Sequence, residues 1–386
     1  MTRLLGARLL VACFVVTACD NNPLGTLTTL PVECQFGHLT DDTTAVTCLR
    51  LREAISAADR DKALGVFATA TTLEDSLAAT NATGDFDRAA DLIRALAQIG
   101  DFYSRDLFPD SVRFHRMMDR VAITIDNGRG NLPSDTSGAA YPPRTPYLVW
   151  HPYAGLGLFF QPVETAQLAV YVLPRSNFST DSLLQIAQHL YAYALWRNEG
   201  GRRYPVWEYE FDWTSGGVSV RGPWVSGLAE ATAMMVFTEM YRRTADPLWR
   251  ARALETLNAL RVPWDRGGVL LPDTTHGYWW EGFHPVVQPW NEAAEALVAV
   301  AYLYNVTLDP AVLMMYQKGA TALKYYTPFF DTGSWTLYSR TQGYNVTFYH
   351  NVCIDRLDGL YVLTGDPWYK AVADRWRTYT PPPGIQ

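Results

Sequence analysis

The sequence predicts a mainly α-helical fold, an α/α toroid (an incomplete α/α barrel) of antiparallel helix pairs with short β-hairpins in its loops. Three observations predict it. From Trp150 onward, apolar residues recur at helical spacing in one segment after another. Asp246-Pro247, Asp309-Pro310 and Asp366-Pro367 each open such a segment; an Asp N-cap satisfies orphan N–H groups, and Pro at the first helical position has none to lose. Two starts agree further, as Thr244-x-Asp246-Pro247-x-Trp249-x3-Ala253 and Thr364-x-Asp366-Pro367-x-Tyr369-x3-Ala373, a weak internal repeat. Lastly, long polar and aromatic loops separate the pairs.

The elements follow in order. Arg3 and Arg8 precede the apolar run Leu9–Val16, too short to span a bilayer. It ends Val16-Thr17-Ala18-Cys19, which resembles a bacterial lipoprotein processing box. That resemblance implies a signal peptide over residues 1–18, lipidation of Cys19, export, and anchoring at a membrane surface. Residues 19–30 then read as a tether, 31–145 as a mostly helical N-terminal region, and 146–386 as the α/α-barrel domain. In an oxidising compartment Cys34 and Cys48 are candidates for a disulfide; Cys353, in an apolar helical pattern, reads as a buried thiol.

Leu49–Ala70, Leu73–Ala79 and Asp85–Asp106 read as helices, Phe108–Met118 is ambiguous, and Val121–Asp126 alternates like a short strand. Asn127–Pro146, rich in Gly, Pro, Ser and Asn, reads as a boundary or exposed loop. Helical periodicity then marks Val163–Leu173, Asp181–Trp196, Trp224–Arg243, Pro247–Leu260, Glu292–Tyr304, Pro310–Tyr325, Val352–Leu363 and Pro367–Tyr379. Between them run Arg202–Arg221, Val262–Pro289 with a short hairpin after Gly267-Gly268, and Asp331–His350. This helix order places all three loops at one end.

A chain of 386 residues with 48% hydrophobic and 18% charged residues has a large core. Its 13 Trp and 22 Tyr suit either core filling or stacking on sugar rings. A net charge of −7 argues against a nucleic-acid partner. Arg202, Arg203 and Arg221 suit a local basic cleft or a solvated face. No nucleophile elbow, phosphate loop, dinucleotide fingerprint or zinc helix motif occurs, and seven His leave little for a metal site. The reading therefore has no cofactor and no metal.

Two chemistries suit the loop residues. Glycoside hydrolysis needs two carboxyl groups roughly 5–9.5 Å apart; Glu208, Glu210, Asp212, Glu230 and Glu281 are available, and no spacing singles out a pair. Proton removal beside a carboxylate, as at C5 of a uronic acid, needs a base, an acid on the opposite face and a cation for the enolate-like charge. Tyrosine is a poor base at neutral pH unless a cation lowers its pKa, and Arg340, two residues from Tyr338, is such a cation. Tyr338 and Tyr349 also suit plain packing on helix ends.

Gly222–Tyr379 resembles the C-terminal domain of the D-glucuronyl C5-epimerases, which act on heparan-type polysaccharides. The matching pieces come in order: Trp224-Val-Ser-Gly-Leu-Ala-Glu230, Gly267-Gly268-Val269, Trp279-Trp280-Glu281-Gly282-Phe283-His284-Pro285, Trp290-Asn291-Glu292 against the family's Leu-Asn-Gly, Asp331-Thr332-Gly333-Ser334-Trp335-Thr336-Leu337-Tyr338, Tyr349-His350 and Thr364-Gly365-Asp366. The resemblance implies an α/α barrel with a uronate-binding cleft and catalysis by loop tyrosines with an acidic residue. Tyr338 and Tyr349 fall on two of those tyrosines. Phe283 and Gly282 replace the third tyrosine and a Glu, and Cys353 and Asp355 replace His and Asn. Glu281, Arg340 and His350 complete the catalytic candidates; Trp224, Glu230, Trp279, Trp280, Phe283 and Asn291 are the substrate-binding ones.

The expected function is a uronic-acid C5-epimerase-like protein acting on a surface polysaccharide. A glycoside hydrolase or lyase on the same scaffold, and a non-catalytic saccharide-binding lipoprotein, are the alternatives.

Overall fold

A computed structural model describes residues 68–385 apart from 71, 78, 80–82, 106, 108–110, 135–137, 143–146, 172, 175–178, 216, 274 and 282. The signal peptide and tether of 1–30, Cys19, the Cys34–Cys48 pairing and Gly282 lie outside the described residues. So does most of the helix expected at Leu49–Ala70. The chain divides into two compact units, Met1–Phe160 and Gln161–Gln386.

In the first unit α1 (Thr83–Ser104) packs on α2 (Ser111–Gly128). Leu92, Ala95, Ile99 and Phe102 meet Phe114, Met117, Met118, Val121 and Ile125, the spacing of two apolar helix faces. Val121–Asp126, read as a strand, is part of α2. Its alternation coexists with a fourfold spacing of Met117, Val121 and Ile125, and burial against α1 overrides β-branched propensity. Arg120 fixes this arrangement: Nε donates to Leu158 O at 2.8 Å, and the guanidinium lies 3.7 Å over the Phe159 ring. Those residues belong to the hairpin of β1 (Trp150–Tyr153) and β2 (Gly157–Phe160).

The second unit opens with α3 (Pro162–Gln167), the short strands β3 (Val170–Tyr171) and β4 (Leu173–Pro174), and α4 (Thr180–Tyr193). The helices expected at Val163–Leu173 and Asp181–Trp196 are thus shorter, each giving way to strand. Two hairpins follow, β5 (Leu195–Glu199) with β6 (Arg202–Val206) and β7 (Trp213–Ser215) with β8 (Val218–Val220).

Three helix pairs form the rest. In each, an inner helix is followed by an outer one: α5 (Gly227–Thr244) with α6 (Pro247–Ala259), α7 (Trp290–Thr307) with α8 (Pro310–Tyr326), and α9 (Thr347–Thr364) with α10 (Pro367–Arg377). Inner helices lie side by side, α7 between α5 and α9. Of these, α5 and α7 are buried around most of their circumference, and Ala229, Ala231, Ala233, Ala293, Ala294 and Ala296 allow the close approach. Outer helices bury one face, such as Tyr369, Val372, Ala373 and Trp376 of α10. Among the described residues the row does not close into a barrel, which agrees with the expected incomplete toroid. The predicted hairpin is present as β9 (Leu270–Asp273) and β10 (Gly277–Trp280), between α6 and α7.

The turns within pairs are built alike. Asp246, Asp309 and Asp366 accept from the N–H of Leu248, Ala311 and Trp368 at 2.9, 2.9 and 3.0 Å. Thr244, Thr307 and Thr364 bond back to the preceding turn and receive the following Asp N–H. A left-handed residue joins each pair: Ala245 (φ 54°), Leu308 (φ 52°) and Gly365 (φ 71°). With these tight turns at one end, the N-termini of α5, α7 and α9 share the other.

Candidate active site

The loops before α5, α7 and α9 are stitched together by backbone hydrogen bonds. Gly227 N donates to Glu281 O at 2.8 Å, Trp290 N to Tyr338 O at 3.1 Å, and Arg340 N to Val287 O at 3.1 Å. Gly227 is required by this approach, because a Cβ there would lie 2.8 Å from Glu281 O. Gln342 Nε2 donates to Ser215 Oγ at 2.6 Å, joining the β7–β8 hairpin to the same cluster. All three expected loops therefore do gather at one end.

Tyr338 and Tyr349 meet there, with ring centroids 5.1 Å apart and planes at 63°. Tyr338 is half-buried; Tyr349 keeps 37% of its surface exposed. Burial pushes both phenols above their ordinary range, and the charge of Glu292 pushes them further. Tyr349, Cys353 and Glu281 add to the effect at Tyr338. Glu292, in the first turn of α7, is itself pushed up to about 7 by burial. The residue is half-buried overall, but its Oε2 is covered and accepts no hydrogen bond. The site is thus a pair of touching phenols with a carboxyl group whose charge reaches both. Cys353, one turn along α9 from Tyr349, is a thiol pushed up to about 12 by burial.

Residues 201–378 match the family model described as D-glucuronyl C5-epimerase C-terminus. The match falls on the segment that resembles this family in sequence. An uncharacterised protein of Methanocaldococcus jannaschii is also similar, 25% identical over 210 residues that span 53% of this chain and 67% of that protein.

Within the matched segment the residues singled out from sequence separate. Tyr338 and Tyr349 come together, and the charge of Glu281 acts on Tyr338. Glu281 is buried, and its Oε1 accepts from Phe283 N at 3.1 Å and His284 N at 3.2 Å. Phe283 packs edge-on to Trp224, with centroids 5.4 Å apart, and Trp224 stacks on Tyr209 at 4.3 Å. Asn291 is buried beside Glu292, and its Oδ1 accepts no hydrogen bond. Glu230 is buried and accepts from Trp207 N at 3.2 Å through Oε1.

Four others have different surroundings. Arg340 is exposed and does not lower the Tyr338 phenol. Its NH1 donates to Gln288 Oε1 at 3.0 Å, and its guanidinium lies 5.8 Å from the Tyr326 ring. That places it at a neighbouring groove of about 320 Å³ lined by Asp273, Trp279, Gln288 and Tyr326. His350 is a core residue, stacked on Trp335 at 3.8 Å. Its Nε2 donates to Trp376 O at 3.1 Å, while Nδ1 accepts from the Thr336 hydroxyl at 2.8 Å, which in turn accepts from Asn345 Nδ2 at 2.8 Å. Trp280 is also core: Nε1 donates to Leu260 O at 2.9 Å, and a Cβ on Gly319 would strike its ring at 2.4 Å. Trp279 is buried, stacks on Phe330 at 5.8 Å and lines that same groove.

Sequence reasoning missed Glu292. The signal was present: a Glu stands in the first turn of an otherwise apolar helix, where the resembled family has Gly.

Proposed function

We propose that this protein is a uronic-acid C5-epimerase acting on a uronate-containing surface polysaccharide. The convergence of Tyr338 and Tyr349 beside a covered carboxyl group carries the reading. A uronate C6 carboxylate acidifies the C5–H bond, and epimerisation needs proton carriers on both faces of that carbon. Two protonated phenols at the mouth of a half-buried site are suited to hydrogen-bond the developing enediolate and to return a proton. The alternative of glycoside hydrolysis is less well served, because the loop acids are engaged: Glu208 pairs with Arg197 at 2.7 Å, and Asp212 accepts from Gly222 N at 2.8 Å. The lipoprotein-like Val16-Thr17-Ala18-Cys19 supports export and anchoring at a membrane surface, where such a polymer is met.

Incubation in D2O with heparan-type and other uronate polymers tests the reading. Deuterium at C5, read by mass and NMR, is the expected result. New reducing ends would point to hydrolysis, unsaturated uronate absorbance to lyase action, and binding without turnover to a saccharide-binding protein. Anchoring is tested by lipid labelling of the full chain and its loss in Cys19→Ser.

A further inference from the structure

The epimerase reading leaves one requirement open. Abstraction at C5 needs a group that is ionised near neutral pH and can hold the proton it takes. Tyr338 and Tyr349 are both pushed toward the protonated form, first by burial and then by Glu292. Arg340 is turned to Gln288 and Tyr326 and does not help them ionise. Phe283 has no proton to exchange. Glu281 is buried, and its Oε1 is already occupied by two backbone N–H groups.

Glu292 meets each condition. It sits in the first turn of α7, two residues after Trp290, whose backbone N–H is bonded to Tyr338 O. Its charge acts on both phenols, in keeping with that placement. Its Oε2 is covered and accepts no hydrogen bond, so burial of that oxygen raises the group's basicity. We propose that Glu292 is the catalytic base of this site, taking the C5 proton while a tyrosine phenol returns one from the opposite face of the sugar. The assignment rests on the epimerase reading. It also gives the departures at two positions a common meaning: a proton carrier absent at Phe283 is replaced by one at Glu292, where the resembled family has Gly.

The step balances without a co-reactant. The C5–H bond breaks, its electron pair enters the C6 carboxylate as an enediolate, and the proton goes to the Glu292 carboxylate. The phenol O–H bond then breaks, its proton forms the new C5–H bond as the enediolate pair returns to carbon, and the oxygen is left as tyrosinate. Transfer of the proton from Glu292 to the tyrosinate restores the resting state. Because that resting state is carboxylate with neutral phenol, the epimer whose C5–H faces Glu292 exchanges faster than the other. Other titratable groups around the pocket are Glu281 from the hairpin loop and Cys353 from α9.

The test compares the full-length protein with Glu292→Gln, Glu292→Asp and Glu292→Ala, following deuterium uptake at C5 of glucuronate polymers between pH 4.5 and 9. Expected for the wild type is kcat/KM rising with pH to an inflection near 7. Glu292→Gln is expected to lose about 10²–10⁴-fold in kcat with little change in KM, Glu292→Asp to lose less, and formate to restore part of the activity of Glu292→Ala. Glu292→Gln within a few-fold of wild type, or folded Glu292→Ala without formate rescue, overturns the assignment alone. Wild-type protein that exchanges no C5 proton on any uronate polymer overturns the epimerase reading, and this assignment with it. Since Gln removes a buried charge without changing shape, its melting temperature is expected at or above that of wild type at pH 8.

Discussion

Successive side chains on a helix point about 100° apart, so Tyr349 and His350 in the first turn of α9 face different surroundings. Tyr349 meets Tyr338 at the site, whereas His350 completes a buried chain from Asn345 through Thr336 to Trp376 O. Substitution should separate them. Tyr338→Phe and Tyr349→Phe are expected to lower C5 exchange by about 10²-fold or more and to move the urea midpoint little. His350→Ala is expected to cost on the order of 2–3 kcal/mol; an unchanged midpoint would refute its structural role. Their neighbours also give opposite pH signs. Burial lowers the His350 pKa, so on acidification the unfolded chain binds a proton before the folded one, and stability is lost as pH falls below about 6.5. Glu292 is raised from 4.5 to about 7, so the unfolded chain ionises first as pH rises. Its contribution is therefore full below about pH 4.5 and falls by roughly 3 kcal/mol by about pH 7. Thermal melts across this range should show the decline in wild type and its absence in Glu292→Gln.

The helix pairs owe their regular turns to short-range chemistry, and this is why they were legible. Asp-Pro at N-cap and first helical position can be read without any knowledge of the partner helix. The Thr before each Asp makes the same hydrogen bonds in all three turns, and at Thr307 it was visible but not read as part of the repeat. The left-handed positions were not legible, because Ala245 and Leu308 stand where only Gly365 carries the usual signal. Leu308 is 69% exposed and strained at φ 52°, so Leu308→Gly forfeits little packing. It is expected to raise stability by about 0.5–1 kcal/mol, whereas Asp309→Ala should lower it by about 1 kcal/mol, both by urea titration. The strand assigned to Val121–Asp126 and the overlong helix at Val163–Leu173 failed for the opposite reason. There, packing against non-local partners decided the outcome, and local periodicity carried no trace of it.

On the scale of the whole molecule, the row of inner helices explains why a site forms at all. Parallel α5, α7 and α9 bring loops distant in sequence to one end, and the backbone bonds from Gly227, Trp290 and Arg340 close them into a cluster. That convergence was legible from helix order, and the tyrosines from the family resemblance. The direction of each side chain was not, since Arg340 and Tyr338 are two residues apart yet turn to different neighbours. Nor was Glu292, whose importance comes from what surrounds it once α7 and α9 pack. Every residue of the candidate site, from Trp224 to Cys353, belongs to the compact unit Gln161–Gln386. Expressed alone, residues 161–386 are therefore expected to melt cooperatively and to retain C5 exchange on uronate polymers. A fragment that folds, by circular dichroism and a single sharp transition, yet exchanges no proton where the full chain does, would show that the chemistry needs residues before 161. A fragment with unchanged exchange would confine the proton carriers to the three loops and the helix ends that hold them.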